Sequence, residues 1–438
     1  MLPKSLLGCL SAFEDCFTAP SYRRFSTLMH GWLVCISKHT VTGVMRAAGV
    51  AERDISGYHR FFSRGAWDPQ EVGFVVLRLA LKLLPDDMPV AMTLDDTLAR
   101  HTGKHIASAG MHRDPLLSTG ATPFFHFGHK WVVLAVVVTM PWGKRFSLPV
   151  LSRLYRSEKA SKVVRQPHVK LTDLALEMLA DLGKRHADRR FVVYADNAYV
   201  NRTIVQGRPK HIEVVGRGRM DAALYGLPPK RTKSTQGRPR VRGAKLDSPQ
   251  VRAGSRRGWT RVTVDIYGRT AEVRVKVFDA IWYKVSHGRL MRIVVVRGWP
   301  GHAKDDVLVS TDLSLRAEAI IEGYCQRWSL EETFGWVKSR LGFEEPHNRV
   351  EHAVHRTAPM ALWCYSLVVI WYAQWSRRRK TRPMRADRWQ RDKTAPSFSD
   401  MLATLRRQCW SVWVSDRADG GHLDQKSLAP LLEMVGYG

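Results

Sequence analysis

The chain has 438 residues, of which 45% are hydrophobic and 25% are charged. This length allows two or three domains, and the composition is that of a globular protein rather than a disordered or fibrous one. Lysine and arginine total 69 against 40 aspartate and glutamate, a net charge of +29 that indicates a polyanionic partner such as DNA or RNA; a basic membrane-surface or ribosome-associated protein is the alternative.

The sequence argues against secretion, membrane insertion and zinc binding. Glu14 and Asp15 interrupt the N-terminal apolar run, so no secretory signal is predicted. The most apolar runs, residues 131–140 and 361–375, are shorter than the roughly 20 residues of a membrane-spanning helix. The six cysteines lack zinc-ligand spacing, which predicts reduced thiols in a cytosolic protein.

Residues 1–75 are predicted to form a small helical DNA-binding domain. Apolar residues recur at helical spacing over residues 22–36, and shorter helices are predicted at 40–48 and 55–63. Two short helices joined by a turn are compatible with a helix-turn-helix that enters a major groove. A helical bundle with no DNA role has the same pattern.

Residues 85–216 contain the apolar runs of an α/β domain. Strands are predicted at residues 89–95, 130–140 and 146–151, before Asp196, and at 211–215, with a helix at 169–184. Two of these strands end in acids, the first in Asp95 and Asp96 and the fourth in Asp196. Ligands of α/β sheets bind at such strand ends, although a single Asp there is also a common helix cap or turn residue.

Residues 217–303 are predicted to be an insertion. Its first part, residues 224–259, is a basic loop expected to bind phosphates. The arginines of this loop include Arg238, Arg240 and Arg242. Alternating apolar residues over 259–277 and 282–299 then predict antiparallel strands.

Residues 304–376 are predicted to complete the α/β domain with a helix over residues 320–341. Its polar residues Tyr324, Arg327, Glu331 and Lys338 share a stripe about 60° wide, beside an apolar stripe. A half-buried carboxylate among cations is costly without a partner, which a divalent metal ion or a phosphate would supply. A solvated face carrying ion pairs is the alternative. Residues 377–438 are predicted to be a basic linker and a C-terminal helical segment.

The spacing Y-x2-R-x3-E-x6-K from Tyr324 to Lys338 resembles the Tyr-Arg-Glu-Lys signature of a large class of insertion-sequence transposases with an Asp-Asp-Glu triad. The segment YADNAY around Asp196 resembles the second-acid motif of that class. The segment LDDT resembles the first-acid motif of that class, which is Asp-x-Thr or Asp-x-Ser. This motif favours Asp95 over Asp96 as the first acid without deciding between them. The resemblance covers roughly residues 90–345.

The resemblance implies a ribonuclease-H-like fold and metal-dependent DNA chemistry. The fold would be a mixed five-stranded sheet with flanking helices, an all-β insertion before the Glu helix and a small all-α N-terminal domain. Asp95, Asp196 and Glu331 would be the catalytic residues and would hold two Mg²⁺ ions about 4 Å apart, with Mn²⁺ able to substitute. The reaction would be cleavage at transposon ends and strand transfer to target DNA.

The resemblance also implies DNA-binding residues and an assembly. Tyr324, Arg327 and Lys338 would bind phosphates beside the scissile bond. Trp299 would stack on a flipped base, with packing in the core as the alternative. The partners would be terminal inverted repeats and target DNA, bound by a homodimer in the cytoplasm at the nucleoid and not at a membrane.

Two other functions fit the same residues. A catalytically silent DNA-binding regulator derived from a transposase would keep the basic surface without cutting. A structure-specific nuclease would share the three acids without strand transfer.

Overall fold

The computed structural model describes residues 2–51, 54–103, 105–114, 117–119, 121–230, 237–301, 304–384 and 393–415. Over these residues the protein has an α/β fold in which helices flank a large mixed sheet, as the sequence predicts. The strands are β1 (Val90–Arg100), β2 (Gly110–Arg113), β3 (Phe125–Thr139), β4 (Arg145–Tyr155), β5 (Phe191–Ala195), β6 (Ile212–Arg217), β7 (Leu224–Tyr225), β8 (Lys245–Leu246), β9 (Thr260–Ile266), β10 (Arg269–Ala280), β11 (Met291–Arg297) and β12 (Asp306–Ser310).

The sheet is built around β1, which is antiparallel to β3 and parallel to β5. β4 pairs antiparallel with β3, and β6 pairs parallel with β5. Valine and leucine side chains of β3 are buried on both faces, which is why this strand is a continuous apolar run. These five strands lie in the order β4-β3-β1-β5-β6.

Strands β9 to β11 of the predicted insertion extend this sheet, whereas its short strands β7 and β8 pair only with each other. β12 pairs antiparallel with β6, and β11, β10 and β9 follow in that order. The predicted boundary at residue 217 therefore falls on the last residue of β6. The β9–β10 hairpin turns at Tyr267 and Gly268, both of which have the positive φ that a tight two-residue turn requires.

The helices cover both faces of the sheet. They are α1 (Lys4–Leu10), α2 (Ala19–Val34), α3 (Val41–Ala47), α4 (Ile55–Ser63), α5 (Pro69–Leu81), α6 (Glu158–Val163), α7 (Leu171–Arg185), α8 (Arg202–Gly207), α9 (Pro249–Gly254), α10 (Tyr283–Ser286), α11 (Ala317–Gln326), α12 (Trp328–Arg340), α13 (Glu351–Arg379) and α14 (Phe398–Ser415). The helices predicted near residues 22–36, 40–48 and 55–63 are confirmed as α2, α3 and α4.

The N-terminal helices do not have a core of their own. Their buried residues belong to one hydrophobic cluster with β1, β3, β4 and the long helix α13. The predicted boundary at residue 75 falls inside α5, because that helix packs on the sheet as well as on the first helices. The C-terminal helix α14 joins the same cluster, and its buried Arg406 donates to the carbonyl oxygens of Leu33 and Cys35 at 2.9 and 2.8 Å.

The predicted single helix over residues 320–341 is two helices that meet at Arg327. The Ser329 hydroxyl donates to the Gln326 carbonyl at 2.7 Å, and the Leu330 amide bonds Arg327 O at 2.9 Å, one residue short of the α-helical register. Ser329 Oγ also lies 2.6 Å from Ser147 Oγ on β4, which anchors the junction to the sheet.

Two further predictions can be compared with the structure. In the described ranges no helix combines the length and apolarity needed to cross a membrane. All six cysteines are free thiols, and five of them are buried, as predicted.

Candidate active site

Asp95 lies directly after the point at which β1 stops pairing with β5 and continues to pair with β3. The parallel pairing with β5 ends at Leu94, whereas the antiparallel pairing with β3 continues to Arg100. The prediction that this strand ends at Asp95 is therefore wrong, because β1 continues to Arg100 beside β3. The side chain of Asp95 is only 17% exposed.

Asp196 and Glu331 reach the same cavity as Asp95 from different elements. Asp196 directly follows β5, and Glu331 lies in the first turn of α12, where a negative side chain suits the helix dipole. All three acids line a cavity of ≈ 420 Å³. The structure thus brings together three acids that are far apart in sequence.

The Arg327 guanidinium lies between two of these acids. Its Nη1 atom is 2.6 Å from Asp95 Oδ2 and 2.6 Å from Glu331 Oε1. Burial by itself would lower the pKa of Arg327, but the two carboxylates raise it above its ordinary value. Arg327 is therefore a permanent counter-charge for Asp95 and Glu331 in this structure.

Asp95 and Asp96 have different environments. Burial is the main cause that raises the pKa of Asp95 to about 7; the nearby Asp96 and Asp196 contribute to the rise, and Arg327 opposes it. Asp96 instead accepts a hydrogen bond from the Tyr199 hydroxyl at 2.9 Å and pairs with Lys130 at 2.8 Å. Both oxygens of Asp96 thus have side-chain partners, whereas Asp95 Oδ1 accepts a hydrogen bond from the backbone amide of Asp96 at 2.8 Å and Asp95 Oδ2 contacts Arg327.

The cavity carries equal numbers of positive and negative side chains. The acids that line it are Asp95, Asp96, Asp114, Asp196 and Glu331, and the cations are Arg100, Arg113, Lys130, Arg327 and Lys338. With five of each sign the lining is formally neutral, so a bound phosphate would need additional positive charge or a rearranged ion pair.

Lys338 lines the cavity, whereas Tyr324 does not. Lys338 Nζ donates to Leu98 O at 2.7 Å and lies 3.7 Å from Glu344 Oε1. Burial lowers the pKa of Lys338, and Glu344 opposes that change. The Tyr324 ring packs beside Arg327, whose guanidinium carbon is 5.7 Å from the ring centroid.

The prediction that Trp299 stacks on a base is not compatible with its position. Its side chain is 4% exposed and belongs to a hydrophobic cluster with strands β9 to β12. The rings of Trp299 and Tyr324 meet edge to face with centroids 6.2 Å apart. Core packing, the alternative considered from the sequence, is what the structure has.

The three predicted loop arginines differ from one another. Arg238 and Arg240 are exposed. The Arg242 guanidinium is held between the rings of Tyr225 and Tyr283, 4.3 Å from each centroid. None of the three lines the acid cavity.

Sequence reasoning missed Lys130, Arg113 and Tyr199 as residues of this region. Lys130 is the one cation that precedes the apolar run of β3, a signal that was available in the sequence. Arg113 lies on β2, and only the pairing of β2 with β3 brings it to the cavity.

The oxygen donors of the cavity have the chemistry of a divalent metal site, but they are not gathered around one point. Over the described ranges, no three His, Cys, Asp or Glu side chains stand close enough together to hold a metal ion. The Arg327 guanidinium lies between Asp95 and Glu331 and contacts both carboxylates.

Comparison with known proteins gives one family match. The family model described as DDE superfamily endonuclease matches residues 12–279. The solved structure of a piggyBac transposase synaptic complex with hairpin DNA is similar at a TM-score of 0.43 and 12% sequence identity, over 98% of this chain and 85% of that one. No curated protein matches the sequence.

Proposed function

Because the chain belongs to the DDE superfamily endonucleases, we propose that it is a DNA transposase that cuts transposon ends and joins them to target DNA. Asp95, Asp196 and Glu331 are the proposed catalytic triad. The observation that carries the proposal is that these three acids, from three separate segments, line one cavity with five cations.

The residues fit a divalent metal cofactor by their donor chemistry. Carboxylate oxygens are the ligands that Mg²⁺ prefers, and the buried Asp95 already requires a cation, which Arg327 now supplies. Asp95, Asp196 and Glu331 would hold the metal, proposed to be two Mg²⁺ ions that Mn²⁺ can replace. When bound, such ions polarise the scissile phosphate and make a water or a 3′-hydroxyl nucleophilic.

The protein's own cations would bind and orient the DNA. Lys338 and Arg113 line the cavity beside the acids, where they would contact non-bridging phosphate oxygens. Arg327 would exchange its contact with Asp95 for a phosphate, since a guanidinium binds phosphate and carboxylate in the same geometry. Tyr324 would act by positioning Arg327.

The proposal includes a ribonuclease-H-like core. The strand order β4-β3-β1-β5-β6, in which β3 alone runs antiparallel to the other four strands, supports it. Strands β9 to β11 would belong to the insertion before the Glu helix. We further propose that the N-terminal helices bind DNA. The DNA partners would be terminal inverted repeats and target DNA. The complex with DNA would be a homodimer, and the protein would act at the nucleoid.

The test is cleavage of a duplex carrying the inverted repeat that flanks the gene. Asp95→Asn, Asp196→Asn and Glu331→Gln should each abolish Mg²⁺-dependent cleavage and leave DNA binding in place. Glu332→Gln is the matched control, because Glu332 is the neighbour of Glu331 on α12 and does not line the acid cavity. It should cut like the wild type.

Two other experimental outcomes would support one of the alternative functions, the regulator or the nuclease. Wild-type protein that binds the duplex and never cuts with Mg²⁺ or Mn²⁺ would be the regulator. Cleavage without any product joined to target DNA would identify the structure-specific nuclease.

A further inference from the structure

Three arginines form a row across neighbouring strands of the sheet extension. Arg274 on β10 is directly opposite Arg261 on β9 and directly opposite Arg297 on β11. Residues opposite each other in antiparallel strands project from the same face, so the three guanidinium groups share one face of the sheet. We call Arg261, Arg274 and Arg297 the arginine row.

The protein neutralises the row only in part. Arg297 pairs with Asp305 at 2.5 Å, and Arg261 has a loose pair with Glu272 at 3.6 Å in which both side chains are mostly exposed. Arg274 is exposed, and among the described residues no carboxylate pairs with it. Like charges directly opposite one another are destabilising, so the fold retains Arg274 at a cost in stability.

Further cations share this face. Lys276 follows Arg274 by two residues on β10, and its ammonium lies 4.8 Å from the ring centroid of Trp259. Arg297 stacks on the same ring at 4.3 Å. The Lys276 and Arg297 side chains are thus held in place, whereas Arg261 has only its loose pair with Glu272 and Arg274 has no carboxylate partner among the described residues.

The row lies at the same end of the sheet as the acid cavity. Asp196 follows β5 at this end, and Arg217 closes the adjacent β6, where its Nε bonds Asp306 at 2.9 Å. Arg297 closes β11 at the same end. From β5 to β10 the sheet crosses four strand spacings, about 20 Å, and the strand register places the row on the face opposite the one from which Asp95 and Asp196 project.

We propose that the arginine row binds the phosphate backbone of a DNA duplex. The inference rests on the proposed function, since it assigns a surface that holds the DNA on which the acid cavity would act. DNA phosphates at this face would offset the repulsion between Arg274 and the neighbouring arginines. Arg274 would therefore strengthen DNA binding while it lowers the stability of the free protein.

The test compares Arg274→Gln with Arg269→Gln. Arg269 is exposed on the same hairpin but lies at its turn, away from the row. Affinity for a fluorescent mixed-sequence duplex of about 30 base pairs is measured by anisotropy from about 50 to 300 mM KCl. Arg274→Gln should reduce the salt slope by about 1 and the affinity about eightfold at 0.1 M salt, as expected when one phosphate contact is lost.

A second readout separates binding from folding. Arg274→Gln should melt at the same temperature as the wild type or higher, because it removes a like-charge neighbour from the row. The double variant Arg261→Gln, Arg274→Gln should lower the salt slope by about 2. Arg269→Gln should match the wild type in both measurements.

The result that overturns the inference is an Arg274→Gln protein that binds the duplex with wild-type affinity and salt slope. Weaker binding that is accompanied by a lower melting temperature, or an equal loss in Arg269→Gln, would also overturn it, as would a preference for duplex RNA. These failures are distinct from failure of the proposed function, which is a wild-type protein that never cuts the inverted repeat.

Discussion

Asp95 Oδ2 and Arg327 Nη1 lie 2.6 Å apart although 232 residues separate them in the chain. The same Nη1 atom contacts Glu331 Oε1. Two proposed metal ligands are thus tied to one internal cation, and any external cation must compete with it.

Replacing Arg327 with Gln should strengthen metal binding while it abolishes cleavage. Without the guanidinium, Asp95 and Glu331 would lack a counter-charge, and a divalent ion would meet no competitor. We expect Mn²⁺ affinity, measured by calorimetry on the DNA-free protein, to rise about tenfold, an ion-pair contribution of about 1.4 kcal/mol. Arg340→Gln on the same helix is the control. Equal or weaker Mn²⁺ binding by Arg327→Gln would contradict the competition.

The pH dependence of stability should identify Asp95. Its folded pKa of about 7 exceeds the usual value of 3.8, so the folded protein binds the extra proton. The stability that this protonation contributes to the folded protein is fully present below pH 3.8 and is lost as the pH rises through 7. Asp95→Asn should therefore gain melting temperature relative to the wild type at about pH 8.5, with a smaller difference at about pH 5. A difference independent of pH would count against the raised pKa.

Asp96 should prove to be a structural acid. The hydrogen bond from Tyr199 is made to a charged acceptor in a buried setting, so Tyr199→Phe should cost about 1.5–3 kcal/mol of unfolding free energy, measured in urea. Asp96→Asn should be less stable than the wild type because it loses the ion pair with Lys130, and it should retain measurable cleavage. If Asp96→Asn instead cuts no DNA while keeping wild-type stability, Asp96 is the first acid.

Two glycines of the α11 and α12 helices should respond in opposite ways to alanine. A Cβ at Gly323 would lie 2.2 Å from the Tyr194 ring on β5, so Gly323→Ala should cost about 1–3 kcal/mol. A Cβ at Gly335 would meet nothing within 4 Å, so Gly335→Ala should gain about 0.5–1 kcal/mol through helix propensity. Urea unfolding of both variants checks the pair, and similar values would contradict the close packing of α11 on β5.

The sequence alone was sufficient for features that depend on local pattern. The valine-rich run of β3 predicts a strand buried on both faces, because a short apolar run without polar alternation has no solvent face. The acids Asp95, Asp196 and Glu331 could be proposed from their positions after apolar runs and in a spaced helical signature.

Only the tertiary structure decided how these parts meet. It placed Asp96 against Tyr199 and Lys130 and Asp95 against Arg327, and it buried Trp299 against Tyr324. It also continued the central sheet through β12 and merged the first helices into the common core. Periodicity reports which face of a segment is apolar, but the partner of that face is set by contacts between residues distant in sequence, which a local pattern does not contain.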